Sequence, residues 1–396
     1  MAAPPKTRPL PSAPVRIAMV SWEMPPLVVG GLAAHVDGLS RALAGAGHEV
    51  VVLTLHHPDV PDDYVIDGVR VLRAHTDLPW LPDSDLIARM SSGNHKLVQL
   101  SAALDGWRPD VVHAHDWLVA WAGDDLQALW GVPLVATIHA TERGRHGGSI
   151  PAGEPAAINS VEWWLTFQAA TVITCSRYMR DEVRGAFQLP PDKVQVVPNG
   201  VDAAVWEPAL PEQRAGGPSL VVAWGRIQYE KGFQTLVAAL PALRRRHPDL
   251  RVVIAGRGSF LGELEAIAQG LGVDHMVRFP GFVPDDELRH LLHTCSCAVI
   301  PSLYEPFGIV ALEALAAGAP LVAAASGGMA EVLDGTGAGL LYPPGDAGAL
   351  AGALGRMLAE PGLATASRAA GAHLVHDLYR WDAVAAATVP LYAALR

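Results

Sequence analysis

This 396-residue chain is poor in cysteine, poor in charge and without any long unbroken apolar run. Its three cysteines, Cys175, Cys295 and Cys297, are too few and too odd in number for a disulfide framework. The single Cys-x-Cys lacks the second ligand pair that a structural zinc site needs, so the three read as buried thiols in a reducing cytoplasm. Although half the residues are hydrophobic, 39 Gly and 32 Pro interrupt the apolar stretches well before the ~18 residues that span a bilayer. Positive charge is in deficit: 29 Lys and Arg against 40 Asp and Glu leave a net charge of −11. That balance opposes non-specific binding to nucleic acid or anionic lipid, because counterion release needs clustered cations. Neither partner is indicated. The opening MAAPPKTRPLPSAP holds five prolines and no apolar h-region, which argues against a signal peptide or membrane anchor and predicts a disordered tail over 1–14.

What is present from Val15 onward is an alternation of short apolar runs with amphipathic stretches, the pattern that crossover connections impose on parallel sheets. VRIAMVS at 15–21 reads as a strand. Gly30 and Gly31 open a helix with Leu32, Val36, Leu39 and Leu43 on one face, Gly47 closes it, and EVVVLTL at 49–55 is the next strand. Further strands are expected at 69–74, 110–115, 133–139 and 171–176, with helices around 94–105, 117–130 and 155–169. The Pro- and Gly-rich stretch 198–218 suits a linker. A second series follows, with strands at 219–225, 250–256, 276–281, 297–302 and 320–326 and helices near 232–246, 260–271, 285–294, 308–317 and 346–359. The expected fold is α/β with two doubly wound Rossmann-like domains, 15–200 and 201–375. A terminal helix at 376–396 is expected to pack back on the first domain. Ligands collect at the carboxyl ends of strands in such sheets, so two facing domains make the cleft between them the expected active site.

Several residues sit at those strand ends. Gly30 and Gly31 leave room for a backbone to approach a ligand, with helix N–H groups facing a phosphate, although a tight turn needs the same pair. Neither G-x-G-x-x-G nor GxxxxGK[ST] occurs. In GRIQYEKG at 225–232, Arg226 and Lys231 suit a pyrophosphate leaving group, Arg as a planar fork and Lys as a point charge; a solvated basic pair is the competing reading. EPFGIVALE at 305–313 sets Glu305 before a helix and Glu313 inside it, about two turns in, with Gly308 between them. The carboxylates suit sugar hydroxyls and a nucleotide ribose respectively, or merely complement a helix dipole. AGRGS at 255–259 and SGGMAEV at 326–332 are further strand-end glycine turns. His113, His115, Asp116 and His139 lie at neighbouring strand ends, but the histidines lack the i, i+4 spacing of zinc helices, so hydrogen bonding or core packing is expected and no metal site. The D-x-D at Asp83 to Asp85 lies in a Pro-rich loop and reads as a solvated turn. LRRRHPD at 243–249 reads as an exposed helix end.

Taken in order, the GG turn, HAHDW, TIH, PNGVD, GRIQYEKG, GRGS, EPFGIVALEALAAG and SGGMAEV resemble the retaining family 4 glycosyltransferases of the GT-B fold, over about residues 15–375. SWEMPPLVVGGLAAHV and HAHDWLVA resemble the glycogen-synthase-like branch, most closely actinobacterial α-1,4-glucosyltransferases of glucan and methylglucose polysaccharide synthesis. The resemblance implies that Arg226 and Lys231 hold the donor diphosphate, helped by the backbone of Gly30 and Gly31, with Gly308 in the donor-binding turn. It also implies that Glu313 binds the ribose, that Glu305 binds the donor sugar, and that His139 borders the anomeric centre. It implies transfer without a metal, no cofactor beyond the nucleotide-sugar donor, ADP- or UDP-glucose, and a glucan or oligosaccharide acceptor. The stretch ATERGRHGGSIPAGEPA after TIH is not fixed by the family pattern, which leaves maltose 1-phosphate synthesis and lipid or small-metabolite glycosylation as alternatives. A nucleotide-sugar epimerase and a non-catalytic sugar binder are the competing classes.

Overall fold

The computed structural model describes residues 14–76, 81, 85–207 and 219–396. The expected tail, apart from Pro14, lies outside them, as do Asp83 and Ser84 and the linker stretch 208–218. The amino-terminal half forms an eight-stranded sheet in the order β3-β4-β2-β1-β5-β6-β7-β8. Its strands are β1 (Arg16–Val20), β2 (Glu49–Leu55), β3 (Asp63–Ile66), β4 (Val69–Ala74), β5 (Val111–His115), β6 (Leu134–Ile138), β7 (Thr171–Thr174) and β8 (Val194–Val196). Pairing is parallel throughout except for β3, which runs antiparallel to β4. The carboxyl-terminal half forms a six-stranded sheet of order β11-β10-β9-β12-β13-β14. It comprises β9 (Leu220–Trp224), β10 (Arg251–Ala255), β11 (Val277–Gly281), β12 (Cys297–Ile300), β13 (Leu321–Ala324) and β14 (Gly339–Tyr342), all parallel. Strand order reverses beside β1 in one sheet and beside β9 in the other, which opens a crevice at each switch point.

The strands form where both faces are covered, so they read as continuous apolar runs. In β2 every residue after Glu49 is buried. Helices Gly31–Gly45 and Trp381–Ala393 cover one face of the first sheet, bringing Val36, Leu39 and Leu43 onto Ile17, Met19 and Val52. Where the sequence predicts a helix at 94–105, the helix runs Leu86–Gln99 and a 3-10 turn follows over Leu100–Leu104. Asp85 starts it early by accepting the Ala88 N–H at 3.0 Å, so this member of the D-x-D is a helix cap. The expected helix at 376–396 is also displaced. Helix Pro361–Leu378 ends first, Arg380 is extended, and Trp381–Ala393 starts anew.

That last helix lies on the amino-terminal sheet. An added β-carbon at Gly38 or Gly200 would meet the Trp381 indole at 2.1 and 2.8 Å, so both glycines are the floor of its socket. Tyr392 Oη lies 2.7 Å from His113 Nδ1. The two halves also touch directly. Ser176 Oγ donates to the Pro306 carbonyl at 2.7 Å, and the N–H groups of Arg177 and Tyr178 donate to Glu331 at 3.1 and 2.6 Å. Tyr304 reaches across to accept the Thr141 N–H at 3.2 Å and to donate to Glu182 at 3.0 Å.

Candidate active site

The carboxyl ends of β1, β5, β6, β9, β12 and β13 carry nearly every polar residue singled out in the sequence. After β1 the chain passes through buried Glu23 to the helix that opens at Gly31. Glu23 Oε2 accepts the N–H groups of Val29 at 2.8 Å and Gly30 at 3.0 Å. A carboxylate of the chain itself thus occupies the Gly30 N–H, one of the two glycine donors that the sequence assigned to a phosphate. Burial raises the Glu23 pKa against these two bonds; Asp116 adds to the rise and Arg226, from the other half, opposes it. Gly31 stands one residue further on. A β-carbon there would lie 3.1 Å from Ile309 Cδ1, so the two halves approach closely at this glycine and a larger residue would displace the Ile309 side chain.

His115 ends β5 and His139 follows β6, with their Nδ1 and Nε2 atoms 3.4 Å apart. Asp116 adopts φ +63° and ψ 171°, which turns its Oδ1 onto the His139 N–H at 2.7 Å. That geometry fixes the main chain at the end of β6. Burial holds the His139 imidazole down at about 3 and pushes Asp116 up to about 6, the latter opposed by the His139 N–H and by Arg145. His113, weighed with His115 and His139 in the sequence, is elsewhere engaged: its Nε2 lies 2.7 Å from Thr137 Oγ1 and its other nitrogen meets Tyr392. His35, from the Gly31–Gly45 helix, takes its place beside the other two.

The stretch after TIH forms a short helix, Glu142–Arg145, capped by Thr141 Oγ1 accepting the Gly144 N–H at 2.9 Å. Arg145 is paired with Glu142 at 3.0 Å and acts electrostatically on Asp116 and Glu162. Burial pushes Glu162 up to about 8, despite the Glu142 N–H bound at 2.8 Å and the charge of Arg145. The wall beside His139 therefore sets Arg145, a partly buried cation, among three carboxyl groups, Asp116, Glu142 and Glu162.

In the other half, β9 runs into Gly225 at φ +132° and then Arg226, whose side chain is 43% exposed and 3.9 Å from Glu230. Gly232 follows Lys231 at φ +69°, and a β-carbon there would stand 2.0 Å from the Pro301 carbonyl oxygen. This glycine lets the Lys231 turn lie flat against the end of β12. Lys231 Nζ consequently meets Glu305 Oε2 at 2.8 Å, and Ser302 Oγ donates to the same oxygen at 3.1 Å. Glu305 is buried, so the carboxylate that the sequence sets before the helix is pinned in place by Lys231 and Ser302. Gly308, at φ +99°, ends the loop. Glu313 lies only about one turn into helix Ile309–Ala316, not two, because the helix begins later than expected. It accepts the Trp224 Nε1–H at 3.3 Å, and burial raises its pKa to about 7 against that bond, with Asp285 adding to the rise.

The remaining glycine turns pack protein on protein. A β-carbon on Gly327 or Gly328 would meet the carbonyl oxygens of Glu305 and Pro306 at 2.4 and 2.2 Å, and the Gly328 N–H donates to Glu305 O at 2.9 Å. Gly256 and Gly258 similarly press on the carbonyls of Gly225 and Ile227. Tyr229 is exposed and meets Phe260 edge to face at 5.6 Å. The sequence reading gave no role to Glu23, His35, Ser302 and Tyr304. Only Glu23 carried a usable signal, as a lone acid between a strand and a GG turn.

Comparison with known proteins places this geometry. The family described as Glycosyltransferase Family 4 matches residues 29–205, and Glycosyl transferases group 1 matches residues 210–373. The chain is 42% identical to a glycogen synthase of Mycobacterium tuberculosis, over 96% of this chain and 95% of that one. It is 32% identical to the α-maltose-1-phosphate synthase of Mycolicibacterium smegmatis, covering 96% and 99%. Among solved structures, the sucrose-phosphate synthase of Thermosynechococcus elongatus aligns with TM-score 0.81 and 27% identity, covering 96% of this chain and 98% of that one. Among the described residues no helix is long and apolar enough to cross a membrane. The chain belongs to the glycosyltransferases of GT-B fold, with a family 4 amino-terminal half, a group 1 carboxyl-terminal half and glycogen-synthase-like relatives.

Proposed function

We propose that the protein is a retaining, metal-independent glucosyltransferase that moves glucose from ADP- or UDP-glucose to an α-1,4-glucan or oligosaccharide acceptor. The observation that carries the reading is the Lys231–Glu305 pair, a cation and a carboxylate held 2.8 Å apart at adjoining strand ends. An ammonium has three donors, so Lys231 can keep Glu305 and still bind a donor phosphate. Arg226 provides the second cation, Glu305 takes sugar hydroxyls, and Glu313 takes the ribose. The main chain at His139 borders the anomeric carbon, since its imidazole is turned toward His115.

In the transfer, the bond from the anomeric carbon to the diphosphate oxygen breaks and its electron pair stays on the phosphate. A new bond forms to the acceptor oxygen on the same face. The acceptor proton passes to the departing phosphate, whose growing charge Arg226 and Lys231 stabilise. Gly30 and Gly31 line the same crevice. Contact between the halves excludes the water that would hydrolyse the donor.

The glycogen synthase relative supports a glucan acceptor. The α-maltose-1-phosphate synthase relative motivates a second reading, with glucose 1-phosphate as acceptor. The pairing of Arg145 with Glu142 favours the first, because this partly buried cation is already engaged by a carboxylate of the chain. The test is nucleoside diphosphate release from ADP-glucose, UDP-glucose and GDP-mannose, each with maltooligosaccharides or glucose 1-phosphate, and mass spectrometry of the products. Extension of the maltooligosaccharide by an α-linked glucose is expected. Silence with every donor and acceptor, or an epimerised donor formed without acceptor, would overturn the proposal.

A further inference from the structure

Three imidazoles from separate elements converge beside the cleft. His35 lies on the Gly31–Gly45 helix, His115 at the end of β5 and His139 just beyond β6. One nitrogen from each lies within 4.8 Å of one from each of the others. The ring centroids of His35 and His139 are 4.5 Å apart, and those of His35 and His115 are 5.3 Å apart.

Two details mark this cluster as more than packing. His35 Nδ1 lies 2.8 Å from Asn199 Oδ1, a pure acceptor, so Nδ1 carries the proton and the lone pair is on Nε2. That Nε2 is buried and has no hydrogen-bond partner. Second, 3.4 Å between His115 Nδ1 and His139 Nε2 is long for a hydrogen bond. It matches the separation of roughly 3.3–3.4 Å between two imidazole nitrogens on a tetrahedral zinc, whose Zn–N bonds are about 2.0–2.1 Å.

We propose that His35 Nε2, His115 Nδ1 and His139 Nε2 form a site for one divalent transition-metal ion of the zinc class. One nitrogen of each ring already lies within 4.8 Å of one on each other ring, and bringing such a set to tetrahedral spacing takes about 1.5 Å of relative movement. The Asn199 bond to the far nitrogen of His35 is the second contact that orients a metal-bound imidazole. His139 is partly exposed and gives the ion an entry from the cleft. All-nitrogen donors suit zinc, cobalt, nickel or copper and not magnesium or calcium. The ion is no part of the transfer chemistry proposed above; it ties the Gly31–Gly45 helix to the ends of β5 and β6. The exposed cluster His56, Asp62 and His75 is a poorer candidate, because its aspartate already bonds both rings at 2.6 and 2.7 Å.

The test uses the full-length, tag-free protein after chelator treatment. Cobalt(II) titration is expected to give visible absorption typical of four- or five-coordinate nitrogen ligation, saturating at one ion per chain. Equilibrium dialysis is expected to show one zinc per chain and no magnesium. Zinc is expected to raise the melting temperature by mass action. His35→Gln and His115→Gln should each weaken zinc binding at least tenfold, and His56→Ala should leave it unchanged. Absence of stoichiometric uptake, or uptake lost in His56→Ala but retained in His35→Gln, would overturn the proposal. Circular dichroism verifies folding of the variants. Should neither cluster variant fold, the wild-type cobalt spectrum decides, since octahedral oxygen-type absorption or none at all refutes a three-imidazole site.

Discussion

Glu313 offers a direct way to separate what the cleft costs in stability from what it contributes to binding. Its carboxyl is raised from the ordinary glutamate value of 4.5 to about 7, burial being the main cause. Between those values the folded chain keeps a proton that the unfolded chain has released. Raising the pH from 4.5 through 7 therefore withdraws stability, by ~1.4 kcal/mol per pH unit, and above 7 the loss is complete. The full difference would be about 3 kcal/mol, and partial solvent access at the cleft reduces it to about 2 kcal/mol. Glu313→Gln keeps the volume and an oxygen for the Trp224 Nε1–H, but has no charge to bury.

The variant should therefore unfold like wild type at pH 4.5 and be more stable by about 2 kcal/mol at pH 8. For a half of this size that corresponds to roughly 4–8 °C in melting temperature, read by scanning calorimetry of ligand-free protein at both pH values. If Glu313 also holds the ribose, the same substitution weakens ADP or UDP binding about 10- to 100-fold, the worth of a hydrogen bond to a charged group. A stability difference independent of pH would refute the desolvation argument. Stabilisation without any loss of nucleotide affinity would leave the desolvation argument standing and remove Glu313 from the ribose site.

Lys231→Met, which removes the charge 2.8 Å from Glu305, should lower transfer by roughly 10²–10³-fold in kcat, measured by coupled nucleotide release; a loss under threefold would exclude Lys231 from the leaving-group site. Gly232→Ala should cost more than about 3 kcal/mol in urea unfolding, because its β-carbon would stand 2.0 Å from Pro301 O at a positive φ, whereas Gly45→Ala, with nothing within 4 Å, should be neutral or stabilising. Tyr304→Phe deletes the hydroxyl that bonds Thr141 N–H and Glu182 across the halves, and should cost about 1–3 kcal/mol by the same measurement. An unchanged midpoint would mean that this contact does not hold the halves together.

The elements legible in the sequence are those whose residues are buried on both faces. EVVVLTL and VRVLRA match β2 and β4 to the residue, since a parallel strand covered by helices is a continuous apolar run. The strand β3, DYVI, escaped because it is an antiparallel edge with no buried residue, and β8 is only three residues long. Helix Pro361–Leu378 escaped because its buried positions include Ala364, Ser367 and Gly371, small residues with little hydrophobic signal. At the candidate site, charges carried by short local motifs were readable, Lys231 in one and Glu305 and Glu313 in another. The histidine cluster was not, because His35 comes from a helix face some eighty residues before His115 and is delivered by sheet order alone.

The loop from Tyr304 to Pro306 couples the donor contacts proposed for Lys231 and Glu305 to contact between the halves. Glu305 uses its side chain to hold Lys231 and Ser302, while its carbonyl accepts the Gly328 N–H at 2.9 Å. The next carbonyl, that of Pro306, accepts Ser176 Oγ from the opposite half. Just before them, Tyr304 extends over Gly144, where a β-carbon would stand 2.2 Å from its ring. A shift of this loop that moves Glu305 therefore also moves the Pro306 carbonyl and the Tyr304 hydroxyl, both bonded across the cleft. Any ligand that repositions Lys231 and Glu305 acts on the closure contacts through three consecutive residues of backbone, with no longer relay required.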